Sequence, residues 1–237
     1  MSLWTEIPLT LRFTTPLCGG VPRSDEIVAN WIALRTASDP AHARMQAHPA
    51  GPDGQLPQSL DGVAEEKVTT RDPLDPDAEM AKVWVGFSRD GDGLFVRGAN
   101  LRAHLKDCAD VIARLLKNGA IDGMKELKQF RHKIVDALYV KEDRLRLLAR
   151  GNGDAPLAAP TGFRDAAMQV MTAQGPRTCL KRVDYVFPVE IHATLQFLAG
   201  GEVTRDHLVL LLEYGKVHGF NQDRSLQFGR YEYELGD

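Results

Sequence analysis

The chain has 237 residues, of which 43% are hydrophobic, 26% charged and 7% aromatic, and its formal net charge is −3. That length and apolar content suffice for a sizeable core in one domain with an insertion. The slight negative charge counts against a general, sequence-blind polyanion binder but leaves room for a local basic groove.

The opening MSLWTEIPLT has neither the basic nor the apolar stretch of a secretory leader, and no apolar run is long enough to span a bilayer, so a soluble, intracellular, cytoplasmic protein without a membrane partner is expected. Ile7, Leu9, Leu11 and Phe13 alternate with Pro8, Thr10 and Arg12, the period of a half-buried strand, which Pro16 and Gly19-Gly20 end. From Ala37 to about Gly93 the texture changes: HPAGPDGQLPQSLDG and TRDPLDPDAE are rich in Pro, Gly and Asp and cannot bury enough apolar surface to order themselves. A short strand at Val83, Val85 and Phe87 interrupts this stretch. A helix follows, with Asn100 as its cap and Leu101, Leu105, Cys108, Ile112 and Leu115 at helical spacing, and Gly119 is placed to stop it. A second helix is predicted over Met124–Leu138, and GNGDAPLAAPTG reads as a loop. Cys18, Cys108 and Cys179 are odd in number, far apart and without zinc spacing, so they read as reduced thiols.

The last third alternates from Val183 through Tyr185, Phe187, Val189, Ile191, Ala193 and Leu195 to Phe197, which fits one long strand or a bent pair, with Pro188 at an edge or a bulge. Gly200-Gly201 makes a turn. Thr204 caps a helix carrying Leu208, Leu211, Leu212 and Tyr214, which Gly215 terminates. After HGFNQDRS a final strand holds Phe228, Tyr231, Tyr233 and Leu235. Strand, helix, glycine-bearing loop and strand make half of a ferredoxin-like unit. The whole predicts an α+β, RRM-like or ferredoxin-like sandwich, an antiparallel sheet with helices on one face and a long insertion. The expected organisation is a single domain over 1–237, with a partly mobile Pro/Gly/Asp-rich insertion at 37–93 and a helical and loop insertion at 119–180.

Three separated segments, in order, carry a family resemblance: RFTTPLCGGVP, GLFVRGANLRAHLKDCADVI and GFNQDRSLQFGRYEYEL. They resemble the first strand and turn, the strand-to-helix junction and the C-terminal glycine-rich loop of the RAMP superfamily of CRISPR-type RNA-binding proteins. Asn221 and Gln227 stand where glycine is typical of that loop, and Arg97-Gly98-Ala99-Asn100 stands where Pro and Ser are common, departures that suit a divergent member of phage or mobile-element origin. The backbone subunits of CRISPR effector complexes resemble the chain best. The resemblance implies an RNA-binding subunit of an antiviral ribonucleoprotein. Such a subunit assembles head-to-tail along a guide-like RNA, with copies of itself and other effector-complex subunits as partners and with no cofactor.

Charge distribution is an independent check. Between Arg97 and Arg150 there are 13 Lys and Arg against 7 Asp and Glu, while the insertion runs the opposite way. The candidate RNA contacts fall in three groups. Arg97, Asn100, Arg102 and Lys106 sit at a helix start, where exposed N–H groups and the dipole favour anions over a merely solvated face. Arg177, Lys181 and Arg182 precede the long strand and could clamp phosphates, leaving sequence reading to guide pairing. His218, Gln222, Arg224 and Arg230 belong to the C-terminal loop, where an Arg224–Asp223 ion pair competes with RNA contact.

No catalytic residue and no metal ligand are assigned. HxH, HExxH and a phosphate-cradling P-loop are all missing, and the seven histidines show no acid–base pairing. Two alternatives stay open. One is a RAMP-type endoribonuclease using His104, or an insertion aspartate such as Asp53, Asp61, Asp72, Asp75 or Asp77, although aspartates beside Pro and Gly usually form turns. The other is a phage interaction protein that reuses the fold without RNA. Trp4, Trp31 and Trp84 could stack on bases, but packing is the commoner fate of tryptophan.

Overall fold

The computed structural model describes residues 3–23, 84–119, 121, 128–151, 155–172 and 175–236, with the backbone alone over 166–172 and 175–180. It falls into two compact units, one comprising Met1–Val21 with Val85–Asp237 and the other Pro22–Trp84. In the second unit the described residues are 22, 23 and 84: the Arg23 N–H donates to the Trp84 carbonyl at 2.9 Å, and the Arg23 guanidinium lies 4.6 Å from the indole centroid. Most of the 37–93 stretch, with Trp31 and the five aspartates named above, lies outside the described residues.

The first unit is organised by four strands and two helices. Strand β1 (Trp4–Phe13) is followed, after β2 (Leu17–Cys18), β3 (Val21–Pro22), β4 (Trp84–Gly86), β5 (Ser88–Asp90) and β6 (Gly93–Arg97), by helix α1 (Gly98–Lys117). Helix α2 (Phe130–Ala137) leads into β7 (Leu138–Val140), then β8 (Arg144–Arg146), β9 (Leu148–Ala149), β10 (Gly162–Thr172), β11 (Gly175–Val186) and β12 (Val189–Leu198). Helix α3 (Arg205–His218), a 3-10 turn at Arg224–Leu226 and β13 (Tyr231–Leu235) complete the chain. The main sheet runs β13-β1-β12-β7, every pair antiparallel, with β9 beside β12. Reading β1-α1-β7 and β12-α3-β13 as two strand–helix–strand units gives the order last, first, third, second. That is the ferredoxin-like arrangement expected from the sequence.

The alternation in β1 explains its placement. Ile7, Leu9, Leu11 and Phe13 are buried under the helices, as are Val189, Ile191, Ala193 and Leu195 of β12. The other face of the sheet is polar and largely acidic, with Glu6, Arg12, His192, Gln196, Glu232 and Glu234, and its charges answer one another: Arg12 bonds Glu234 at 2.7 Å and Lys141 bonds Glu6 at 2.7 Å. Burying each aliphatic side chain on the covered face is worth roughly 1.5–3 kcal/mol, which fixes which face turns inward.

The helices follow the expected spacing with instructive differences. In α1 the buried stripe is Leu101, Leu105, Cys108, Ala109, Ile112 and Leu116, and Leu115 is 38% exposed. Asn100 is not the cap. Arg97 is, because β6 runs straight into the helix and the Gly98 N–H is satisfied by the Asp143 carbonyl at 2.8 Å, so no side-chain cap is needed. Gly119, with φ +64, closes α1 as expected. The second helix begins at Phe130, and residues 122–127 lie outside those described.

Thr204 caps α3 as predicted, its side chain and backbone both meeting His207. Gly215 does not end that helix. It lies inside it, buried where a Cβ would overlap the Tyr231 hydroxyl and stand 2.7 Å from His104 Nε2. The stop is Gly219, φ +87. The alternating run from Val183 to Phe197 is a bent pair broken at Phe187-Pro188: Val186 and Val189 are both buried while Phe187 is 37% exposed, so the pattern changes phase across the break.

Two further sheets decorate this frame. One runs β10-β11-β4-β3 with β2 beside β11, and its longest part is the β10–β11 hairpin. The other, β5-β6-β8, is clamped by Asp90 between Arg144 and Arg146, with Arg146 also reaching Asp92 at 2.9 Å. Hydrogen bonding from Arg146 holds the Asp90 carboxyl well below the usual carboxylate range. Cys18 and Cys108 are free and buried. Among the described residues no helix is long and apolar enough to cross a membrane, and no three His, Cys, Asp or Glu side chains gather as a metal site.

Candidate nucleic-acid interface

The C-terminal loop, residues 219–230, is held by its backbone conformation. Asn221, Asp223 and Gln227 have φ of +71, +59 and +68. Asn221 and Gln227, which stand where the resemblance led us to expect glycine, thus adopt the left-handed conformation that glycine takes most easily. Tertiary bonds hold them there. The Phe220 N–H donates to the Gly229 carbonyl at 2.8 Å, the Gly229 N–H to Pro16 at 2.9 Å, and the Thr14 N–H to Arg230 at 2.8 Å. Asn221 Nδ2 donates to the Cys18 carbonyl at 2.7 Å, and Thr15 Oγ1 accepts from the Arg230 N–H at 2.9 Å. Buried Phe220 packs on Phe13 and on His104 of α1, so the loop is fastened to the end of β1 on one side and to α1 on the other.

These contacts bring the three resembling segments together. Between them opens a cavity of about 270 Å³ lined by Gly20, Asn100, Ala103, His104, Asp107, Asn221, Gln222 and Arg224. Gly20 lets the first turn approach the loop, since a Cβ there would stand 3.0 Å from the Gln222 side chain. The base of the hairpin joins the same loop: Arg164 pairs with Asp223 at 3.1 Å and lies 4.7 Å from the Phe228 ring, and Lys181 Nζ donates to Gln222 Oε1 at 3.4 Å.

Of the predicted contacts, Asn100, Gln222 and Arg224 line this cavity. His218 adjoins it, its Nε2 lying 3.0 Å from Arg224 Nη1, and Lys181 reaches it through Gln222. Arg224 does not pair with Asp223, as its neighbour in sequence suggested. It faces Asp107 at 3.5 Å, while Asp223 is taken by Arg164. Arg230 is half-buried beneath the loop, and its Nε has no hydrogen-bond partner among the described residues. Arg97 is exposed at the α1 start.

The others sit elsewhere. Arg102 donates to the carbonyls of Val135 at 2.5 Å and Leu138 at 3.1 Å and lies 4.0 Å from the Tyr139 centroid, so it caps the end of α2. With Lys106 it borders a separate groove floored by Ala99, Ala103, Ile134, Val135 and Leu138. Arg182 forms a two-pronged pair with Asp165 at 2.7 and 2.9 Å and lies over Phe163. The side chain of Arg177 lies outside those described. Asp107, Gly20 and Asn221 were missed as site residues: Asp107 reads as one more polar position on α1, and Gly20 as a plain turn.

His104, the histidine best placed in sequence for acid–base work, is 3% exposed. Its Nε2 lies 3.0 Å from the Tyr231 hydroxyl, and burial, aided by the positive charge near His218 and Arg224, pushes its pKa down to about 3. It is neutral at physiological pH, and its Nε2 is engaged in the core, which suits packing and not proton transfer. Burial also lowers the pKa of His218, with Arg224 adding to the effect. Trp4 packs edge-on against Tyr139 at 5.3 Å.

No family model matches the chain, and no curated relative does. Among solved structures it is similar to a chain of "Cryo-EM structure of the Type III-B Cmr-beta bound to cognate target RNA", with 7% identity and a TM-score of 0.40. The alignment covers 99% of this chain, which spans 61% of the length of that one.

Proposed function

We propose that the chain is a RAMP-type, RNA-binding backbone subunit that assembles head-to-tail along a guide-like RNA in a CRISPR-like ribonucleoprotein, in company with copies of itself and other subunits. The observation that carries this reading is the convergence of the first turn, the α1 start and the C-terminal loop on one open polar cavity. These are the three segments whose sequences resemble the RNA-facing parts of that superfamily. Lys181, Arg224 and Arg230 surround the loop and supply charge for phosphates, and backbone contacts of that kind position RNA without reading its bases.

A second reading, a protein-interaction module, is favoured by the internal pairing of Arg12, Arg144, Arg146, Arg164 and Arg182 with carboxylates, which lowers the field available to a polyanion. The test is the 260/280 nm ratio with size-exclusion light scattering on cell-expressed protein, followed by anisotropy with single-stranded RNA. RNA binding that weakens at least tenfold in the Lys181→Glu, Arg224→Glu double variant supports the RNA subunit. A monomer that binds no added RNA supports the interaction module.

A further inference from the structure

The cavity at the C-terminal loop is built for hydrogen bonding more than for charge. Its one guanidinium, Arg224, faces the Asp107 carboxylate at 3.5 Å, so its formal charges cancel. A phosphate seated there would meet that carboxylate as well as the guanidinium. The remaining polar groups are the neutral His104 imidazole, whose Nε2 lies 3.0 Å from the Tyr231 hydroxyl, and three amides. The Asn100 side chain has no hydrogen bond among the described residues, and Gln222, whose Oε1 accepts from Lys181, keeps its Nε2 uncommitted near Gly20. Asn221 is anchored through Nδ2 to Cys18, leaving its Oδ1 as an acceptor toward Gly20. Neutral donors and acceptors around about 270 Å³ suit a hydroxyl-bearing ring, since roughly 150 Å³ already admits benzene.

We propose that this cavity holds the ribose of one nucleotide and recognises its 2′-hydroxyl through the Asn100 and Gln222 amides, so that the chain distinguishes RNA from DNA there. The inference rests on the RNA-binding reading above and adds the group recognised. Cationic side chains around the rim hold the flanking phosphates, and the amides inside hold the sugar. Discrimination then comes from a hydrogen bond that deoxyribose cannot complete, not from charge, which both nucleic acids share.

The test uses the full chain and two fluorescein-labelled 20-mers, oligo(rU) and oligo(dU), which differ only at the 2′ position. Anisotropy titrations in the same buffer are expected to give oligo(rU) about five- to tenfold tighter binding, as one or two neutral hydrogen bonds would. Gln222→Ala and Asn100→Ala are each expected to lower that ratio by weakening oligo(rU) alone. Circular dichroism and thermal melts on both variants report whether they remain folded. The comparison of the two oligonucleotides on the unaltered chain needs no variant. Equal, measurable affinity for the two overturns the sugar-reading site and leaves nucleic-acid binding standing. Binding to neither overturns the RNA reading itself. A preference for oligo(rU) that both alanine variants retain places the discrimination outside this cavity and overturns the assignment.

Discussion

Replacing Gly215 by alanine tests whether the packing behind the loop is as tight as it looks. In a free helix the change favours folding by about 1 kcal/mol, because glycine is the poorer helix former. Here the added Cβ would overlap the Tyr231 hydroxyl and lie 2.7 Å from His104 Nε2 and 3.3 Å from Cys108 Sγ. All three neighbours are buried, so the strain must move α3 or push Tyr231 off His104. Overpacking of this kind costs roughly 1–3 kcal/mol, and loss of the 3.0 Å His104–Tyr231 bond adds about 1 kcal/mol. The net expectation is a loss of about 1–3 kcal/mol, which for a chain of this size lowers Tm by roughly 2–12 °C. Differential scanning fluorimetry on Gly215→Ala, Tyr231→Phe and the double variant measures it. Removing the hydroxyl relieves the overlap, so the double variant should lose less than the two single changes together. A Gly215→Ala chain that melts higher than the parent would show that the close approach is not there.

Other consequences follow from the same geometry. Below about pH 6.5 the unfolded chain takes up a proton at His104 that the folded chain refuses until about pH 3. Stability therefore falls as the pH drops through that window, by about 1.4 kcal/mol per unit, and His104 contributes no pH dependence above it. Urea midpoints of the parent and His104→Gln at pH 7, 6 and 5 check this, the variant showing the shallower acid limb. Gln227 is exposed at φ +68, a conformation that costs a non-glycine residue roughly 1–2 kcal/mol, so Gln227→Gly should raise Tm. Asn221→Gly, at φ +71, should lower it, because asparagine tolerates that conformation better than glutamine, so glycine relieves little, while losing the bond from Nδ2 leaves the Cys18 carbonyl unpaired among the described residues. Arg102→Ala should destabilise by about 1–2 kcal/mol through loss of the α2 carbonyl bonds and the Tyr139 contact, with RNA affinity of the folded protein unchanged, measured by melts and anisotropy in parallel.

The fold was legible wherever one face of an element is dry. Alternation in β1 and β12 and the leucine spacing of α1 and α3 follow directly from burial, and the main sheet follows from them. What escaped were features set by contacts distant in sequence. Gly215 looks like a helix stop until Tyr231 and His104 are seen beside it, and Asn100 looks like a cap until the Asp143 carbonyl is seen to do that work. The candidate site was half legible. Loop residues Gln222 and Arg224 fall where expected, since a loop between a helix and a strand lies at the end of the sheet. Arg102 and Arg182 do not, because a cation's partner depends on which carbonyl or carboxylate the fold brings near, and no local pattern reveals that.

On the proposed RNA-binding reading, that internal pairing bears on how tightly one copy would hold RNA. Among the described residues near the loop and the α1 start, Arg97, Lys106, Lys181 and Arg230 have no carboxylate partner, Arg102 is turned to the α2 carbonyls, and Arg224 is partly answered by Asp107. If three to four of them each neutralise a phosphate, log K falls with log salt at a slope of about −2 to −3, from roughly 0.7 per single-strand phosphate. So shallow a slope would mean a weak protomer, and on the proposed reading stable binding would come from many copies on one strand, where linkage multiplies modest affinities. Anisotropy across 50–400 mM salt should therefore give a slope near −2 to −3 for an RNA long enough for one protomer. The slope should steepen in proportion to the number of protomers bound as the RNA is lengthened. A steep slope on the shortest RNA would mean that ion pairs such as Arg182–Asp165 open to recruit phosphates. A slope that does not grow with length would count against assembly along the strand.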